Sequence, residues 1–144
     1  MSSGWTDLAM VVAAHDYERV HYALVIAATA AALDKRVTLL FTLGALAALK
    51  QVAAEGGPGW HALPSPTGAP AAALDAAHHQ QGVATLEELF ESCAALGVRF
   101  LACEMALRQQ RLTVDDLRTD LRVEAAGVAA LLAGVGGEGK LMTV

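Results

Sequence analysis

Two cysteines, Cys93 and Cys103, are the side chains with the most reactivity to offer in a chain of 144 residues. Cys103 and Glu104 stand where the apolar run 98–102 gives way to a helix-prone segment, 105–110. A thiol at the strand-to-helix turn of a parallel sheet faces the free N–H groups and positive dipole end of the next helix, which favours the thiolate, the nucleophilic form. Glu104 opposes this by like charge, or relays a proton. The alternative is that Cys103 is a small buried hydrophobe in an alanine-rich core, because free cysteine is among the most buried residue types. Cys93 lies on the stripe Leu86, Leu89, Phe90, Cys93, where the pattern favours core packing. An antiparallel helix–strand pair would hold the two sulfurs roughly 10 Å apart along the axis, too far for a disulfide, whose Cα atoms lie within about 7 Å. His15 ends the first apolar run. It would supply a base or a positive charge to a Cys103 thiolate if the first and third strands were neighbours, and is otherwise a loop histidine.

Other groups offer less. His78 and His79 adjoin in a weakly patterned stretch and read as solvated. Neither cysteine has a C-x-x-C partner and no H-x-x-x-H occurs, so no metal site is expected. Gly134, Gly136, Gly137 and Gly139 follow a helical pattern instead of opening one, which does not fit a phosphate cradle, and they read as a turn. No cofactor is expected.

The elements that must position these groups alternate. Residues 7–14, with Val11 and Val12, read as a buried strand. Residues 17–33 read as a helix with Asp16 as N-cap and apolar positions on two faces, the second of which a further subunit would cover. Residues 36–41 read as a strand and 43–55 as a helix. Four prolines and four glycines within 56–70 then make 56–82 a long, flexible loop or lid. Thr85 opens a helix closed by Gly97, 98–102 is a strand and 105–110 a short helix. Thr113 and Asp116 resemble a capping motif for a helix to about Leu121, 125–133 is helical, and 141–144 is a last strand. Strands alternating with helices imply an α/β fold with a mostly parallel sheet of about five strands, helices on both faces, and a site at the carboxyl ends of the strands, which are His15 with Asp16, residues 41–44, and Cys103 with Glu104.

Composition narrows the class. The length suits one domain, 1–144. The chain is 55% hydrophobic, but 31 residues are alanine and only seven aromatic, so packing surfaces must be close and small-residue-lined. A net charge of −5 is the opposite of what a phosphate backbone attracts, so nucleic acid is not an expected partner. Mean hydropathy is positive at +0.42, yet charges close every apolar run before the roughly 18 residues that a spanning helix needs. The opening residues lack the basic stretch of a secretory leader, so the expected location is the cytoplasm.

Residues 8–44, with the His15-Asp16 turn and the run Val37-Thr38-Leu39-Leu40-Phe41-Thr42-Leu43-Gly44, resemble the opening of DsrE/DsrF-like proteins. The stretch Gly97-Val98-Arg99-Phe100-Leu101-Ala102-Cys103-Glu104-Met105-Ala106-Leu107 resembles the segment carrying that family's sulfur-accepting cysteine, and Val123 to Ala129 resembles the helix start that follows. The resemblance spans the chain outside 56–81. It implies a three-layer α/β/α fold assembling as homotrimers or homohexamers, and a sulfur carrier that holds sulfane sulfur as a persulfide on Cys103. It further implies exchange with low-molecular-weight sulfane donors and with TusA-like or rhodanese-like carriers, in cytoplasmic sulfur oxidation. The branch with a second cysteine on the preceding helix corresponds to Cys93. Two readings compete: a non-catalytic oligomeric scaffold subunit with both cysteines packed, and a thiol peroxidase, for which no recognisable surround exists.

Overall fold

A computed structural model describes residues 4–144; residues 1–3, part of the stretch read for a leader, lie outside the described residues. The chain forms β1 (Thr6–Val12), α1 (Tyr17–Ala32), β2 (Val37–Phe41), α2 (Ala71–Gln80), α3 (Leu86–Ala95), β3 (Arg99–Cys103), α4 (Glu104–Gln110), β4 (Glu124–Ala126), α5 (Val128–Gly134) and β5 (Val135–Thr143). The five strands lie in the order β4-β3-β2-β1-β5, every pairing parallel. This is the expected α/β architecture. β2 is central and every one of its residues is buried, which is why it reads as a continuous apolar run without alternation. Its single polar side chain, Thr38, is satisfied by the Thr6 hydroxyl at 2.9 Å.

α1 begins where Asp16 accepts the Arg19 N–H and packs beside α3. α3 opens with a reciprocal capping box, in which Thr85 and Glu88 each satisfy the other's backbone N–H. It ends before Gly97, whose φ of +84° turns the chain into β3 at no steric cost. α5 leans on β1 and β2. The chain returns from β4 to β5, beyond β1 at the other edge of the sheet, through α5.

Five local expectations give way to tertiary pairing. The helix expected over 43–55 is a tight 3-10 segment, Leu43–Leu49. The chain then leaves it, because Lys50 bridges Leu117, Arg118 N–H donates to the Leu49 carbonyl and Gln51 N–H to that of Asp116. The same pairing stops the Thr113 segment early: its capping box forms, but only Val114–Asp116 is helical. The stretch 56–82 is not loop throughout. A 3-10 turn, Gly59–Ala62, seats Trp60 in the core, and α2 starts directly after Pro70. The prolines mark turns up to that point, and Ala71-Ala72-Ala73-Leu74 beyond it is helix-prone. The helix expected over 125–133 starts only at Val128, because Glu124, Ala125 and Ala126 pair with β3 as an edge strand despite their propensity. The last strand is longer than expected and takes in the glycines: Thr6 pairs with Val135 but Leu8 with Lys140, so residues 136–139 bulge from the ladder.

Candidate functional site

Cys103 is the last residue of β3 and the residue from which α4 springs. Parallel pairing sets its neighbours. On one side it faces Ala126 of β4. On the other, Phe41 pairs with Ala102, so the next residue of each strand, Thr42 and Cys103, stand across from one another. The thiol is 3% exposed and lies at the floor of an open hollow of about 500 Å³, lined also by Glu104, Met105, Arg108, Gln109, Gly127 and Val128. The lining is mostly apolar, with Arg108 its cation. Two larger hollows lie away from the thiol. One is at the amino ends of β1 and β2 beside the bulge of β5, and the other is at the start of β3.

Burial pushes the Cys103 thiol up, but the Thr42 hydroxyl and the backbone N–H groups of Ala106 and Met105 more than offset it. Glu104 pulls it partly back up by like charge, and the net result lies below the ordinary thiol value. Such donors act on the sulfur most when it is charged. The arrangement suits a nucleophilic or sulfur-holding thiolate that is screened from bulk water.

Cys93 is fully buried, its Sγ against the Leu24 carbonyl of α1 at 3.8 Å, and burial pushes its thiol up to about 12. Its own carbonyl accepts the Val98 N–H, placing it beside the start of β3. Cys103 is five residues further along, about 16 Å at the rise of a strand. Both thiols are free. His15 is exposed and packs against Gly44. The condition for it to reach Cys103 does not hold, because β2 separates β1 from β3. No residue of 56–82 lines the hollow, so that segment does not roof the thiol. Among the described residues no group of His, Cys, Asp and Glu is arranged to hold a metal, and no helix is long and apolar enough to cross a membrane.

His78 is not solvated as expected. Tyr17 donates its hydroxyl proton to Asp75 Oδ1 at 2.5 Å, so the 3.0 Å contact to His78 Nδ1 has the histidine as donor. Asp75 also accepts the Leu86 N–H, and the His78 ring lies 4.4 Å from that of His21. This cluster ties α2 to α1 and α3. Near Cys103, Met105, Arg108, Gln109, Gly127 and Val128 escaped the sequence reading, while Thr42 falls within the strand end 41–44 that it marked, with no role given to it. A signal for some of them exists: helical spacing from Glu104 brings Arg108 to its face, and parallel pairing of the second and third strands brings Thr42 to the thiol.

With this geometry in place, comparison with known proteins is decisive for the family. Residues 7–142 match the DsrE/DsrF-like family. The chain belongs to that family. DsrE membership associates it with sulfur relay and with the carriers that serve such relays. No curated protein matches the chain. Among solved structures it is similar to the protein of unknown function MTH1491 from Methanobacterium thermoautotrophicum, at 17% identity and a TM-score of 0.53, covering 87% of this chain and 86% of that one. At that identity the likeness shows a shared fold.

Proposed function

We propose that this DsrE-family protein is a sulfur carrier that takes sulfane sulfur onto Cys103 as a persulfide and passes it to a partner thiol. The observation that carries the reading is a thiol held below its ordinary pKa at the end of a parallel strand and opening into a largely apolar hollow. In loading, the Cys103 thiolate attacks the outer sulfur of a donor R–S–SH. A new Sγ–S bond forms, the donor S–S bond breaks, R–S⁻ departs, and the proton stays on the transferred sulfur. Unloading is the same displacement by an acceptor thiolate, with Cys103 leaving. No oxidant is consumed and no metal or organic cofactor is needed. Donors would be low-molecular-weight sulfane compounds, and partners TusA-like or rhodanese-like carriers, in cytoplasmic sulfur oxidation. Glu104, the residue after the thiol, would accept or return a proton. Cys93, buried against α1, would join only if α3 shifted.

A scaffold subunit with both cysteines packed is the competing reading, and the low exposure of Cys103 favours it. Intact mass after incubation with polysulfide separates the two. The carrier gains increments of about 32 Da, one sulfur atom each. Cys103→Ser gains none while remaining folded, whereas loading that persists in Cys103→Ser defeats the assignment.

A further inference from the structure

We propose that the Thr42 hydroxyl is the donor that holds the Cys103 sulfur as an anion, making Thr42 a positioning residue for sulfur transfer. Its role in transfer rests on the carrier reading; its action on the thiol does not. Three features of the fold lead to it.

Thr42 occupies the position just before the helical segment Leu43–Leu49, where a threonine ordinarily turns its hydroxyl back to an N–H of the first turn. It makes no such bond. Cys103 occupies the equivalent position before α4. The two residues follow the Phe41–Ala102 pair on neighbouring parallel strands, so Thr42 and Cys103 stand side by side at the carboxyl end of the sheet.

The backbone of Thr42 is pinned from both sides. Its N–H donates to the Val12 carbonyl at 3.0 Å and its carbonyl accepts the Ala45 N–H at 3.1 Å. With the residue 8% exposed, water competes little for the hydroxyl. A third tie fixes the spacing between the two segments: Gln110, the last residue of α4, donates its side-chain amide to the Leu43 carbonyl at 2.8 Å. The end of β2 and the helix that Cys103 begins are therefore tied to each other.

The chemistry follows. Of the groups that favour the thiolate, the Thr42 hydroxyl is the strongest, ahead of the N–H groups of Ala106 and Met105. A hydroxyl donates to a thiolate and gains little from a thiol, so it stabilises the attacking form before loading. It serves the leaving form equally when an acceptor strips the outer sulfur from Cys103.

The test is the pH dependence of Cys103 alkylation by iodoacetamide, read by peptide mass in the full-length parent, Thr42→Val and Thr42→Ser. Valine keeps the shape and removes the hydroxyl, while serine keeps the hydroxyl. The expected result is a Thr42→Val profile displaced to higher pH, with Cys103 alkylated about threefold to tenfold more slowly on the acid side of the profile, and Thr42→Ser within about twofold of the parent. A Thr42→Val profile superimposing on the parent overturns the proposal, and so does a Thr42→Ser profile displaced as far as that of valine. If Thr42→Val fails to fold by circular dichroism, Thr42→Ala is judged by the same criteria. Sulfur loading of the parent is scored separately. A parent that never loads defeats the carrier reading while the alkylation profiles still decide Thr42, and a parent that loads with an unmoved Thr42→Val profile defeats Thr42 alone.

Discussion

The two thiols of this chain differ in what surrounds them, and a single reagent should read that difference. Cys103 has three donors around it and opens to solvent through the hollow. Cys93 has only the Leu24 carbonyl, which can stabilise no anion, and its thiol is pushed up to about 12. Brief iodoacetamide treatment of the native protein at pH 7.5 should therefore modify one thiol, Cys103. Cys93 should react only in denaturant, and peptide mass spectrometry reads both. Equal labelling of the two in the folded state would show that α3 opens readily, and would revive a direct part for Cys93. The position of Cys103 at the turn from β3 into α4 was legible because it follows from where an apolar run ends and a helix begins. Arg108 was not, and Thr42 was marked only as part of a strand end, since neither is set beside Cys103 until pairing order and helix phase are known. His15 failed as a partner for the same reason: the sequence gives strand succession, while its usefulness depended on strand adjacency.

At the scale of elements, the contact between α1 and α2 depends on pH through His21. Its ring donates Nε2–H to the Ala84 carbonyl at 2.8 Å. Burial, partly opposed by that bond, lowers its pKa; His78 lowers it further and Asp75 raises it. The folded state therefore resists a proton that the unfolded chain accepts near pH 6.5. Below that value the unfolded state binds more protons, so stability is full above about pH 7 and is lost as pH falls through 6.5 toward the lower folded value. His21→Gln keeps a donor for Ala84 but cannot ionise. The urea midpoint of the parent should fall between pH 7.5 and 5.5 by more than that of His21→Gln, and parallel declines would assign the loss to other groups. Elements with local signals in the sequence, such as the Asp16 and Thr85 caps, the Gly97 stop and the buried strands, stand close to where those signals fall. Elements decided by distant partners did not announce themselves. Ala125 and Ala126 became strand because β3 had an unpaired edge, residues 50–55 lost their helix to the 116–118 segment, and α2 is anchored by Asp75 to Tyr17, 58 residues earlier in the chain.

At the scale of the whole molecule, α1 carries an exposed apolar stripe. The face of α1 turned away from α3 and the sheet carries Tyr22 at 63% and Leu33 at 67% exposure, with Val25 and Ile26 only half-buried between them. Tyr22 and Ile26 are one turn apart and Leu33 lies two turns beyond Ile26, so they share a stripe. Several large apolar side chains aligned on one helix are more than the scattered exposure expected of a monomer's surface. Such a face supports the homotrimer or homohexamer that we propose as the working assembly. Light scattering coupled to size exclusion should give a mass of three or six chains for the parent. Tyr22→Glu with Ile26→Glu places two like charges one turn apart on the stripe, where desolvating them against a second copy costs far more than leaving them in water. That variant should elute as a monomer with its circular dichroism intact, because neither side chain is part of the buried set of α1. A parent that is itself monomeric would remove the assembly proposal, while an oligomer untouched by the double substitution would move its interface elsewhere. Cys103 lies on β3, separated from β1 by β2, and none of Tyr22, Ile26 and Leu33 lines its hollow. Dissociated chains should therefore still alkylate at Cys103 at the parental rate, which separates a surface that builds the assembly from a thiol that works within each chain.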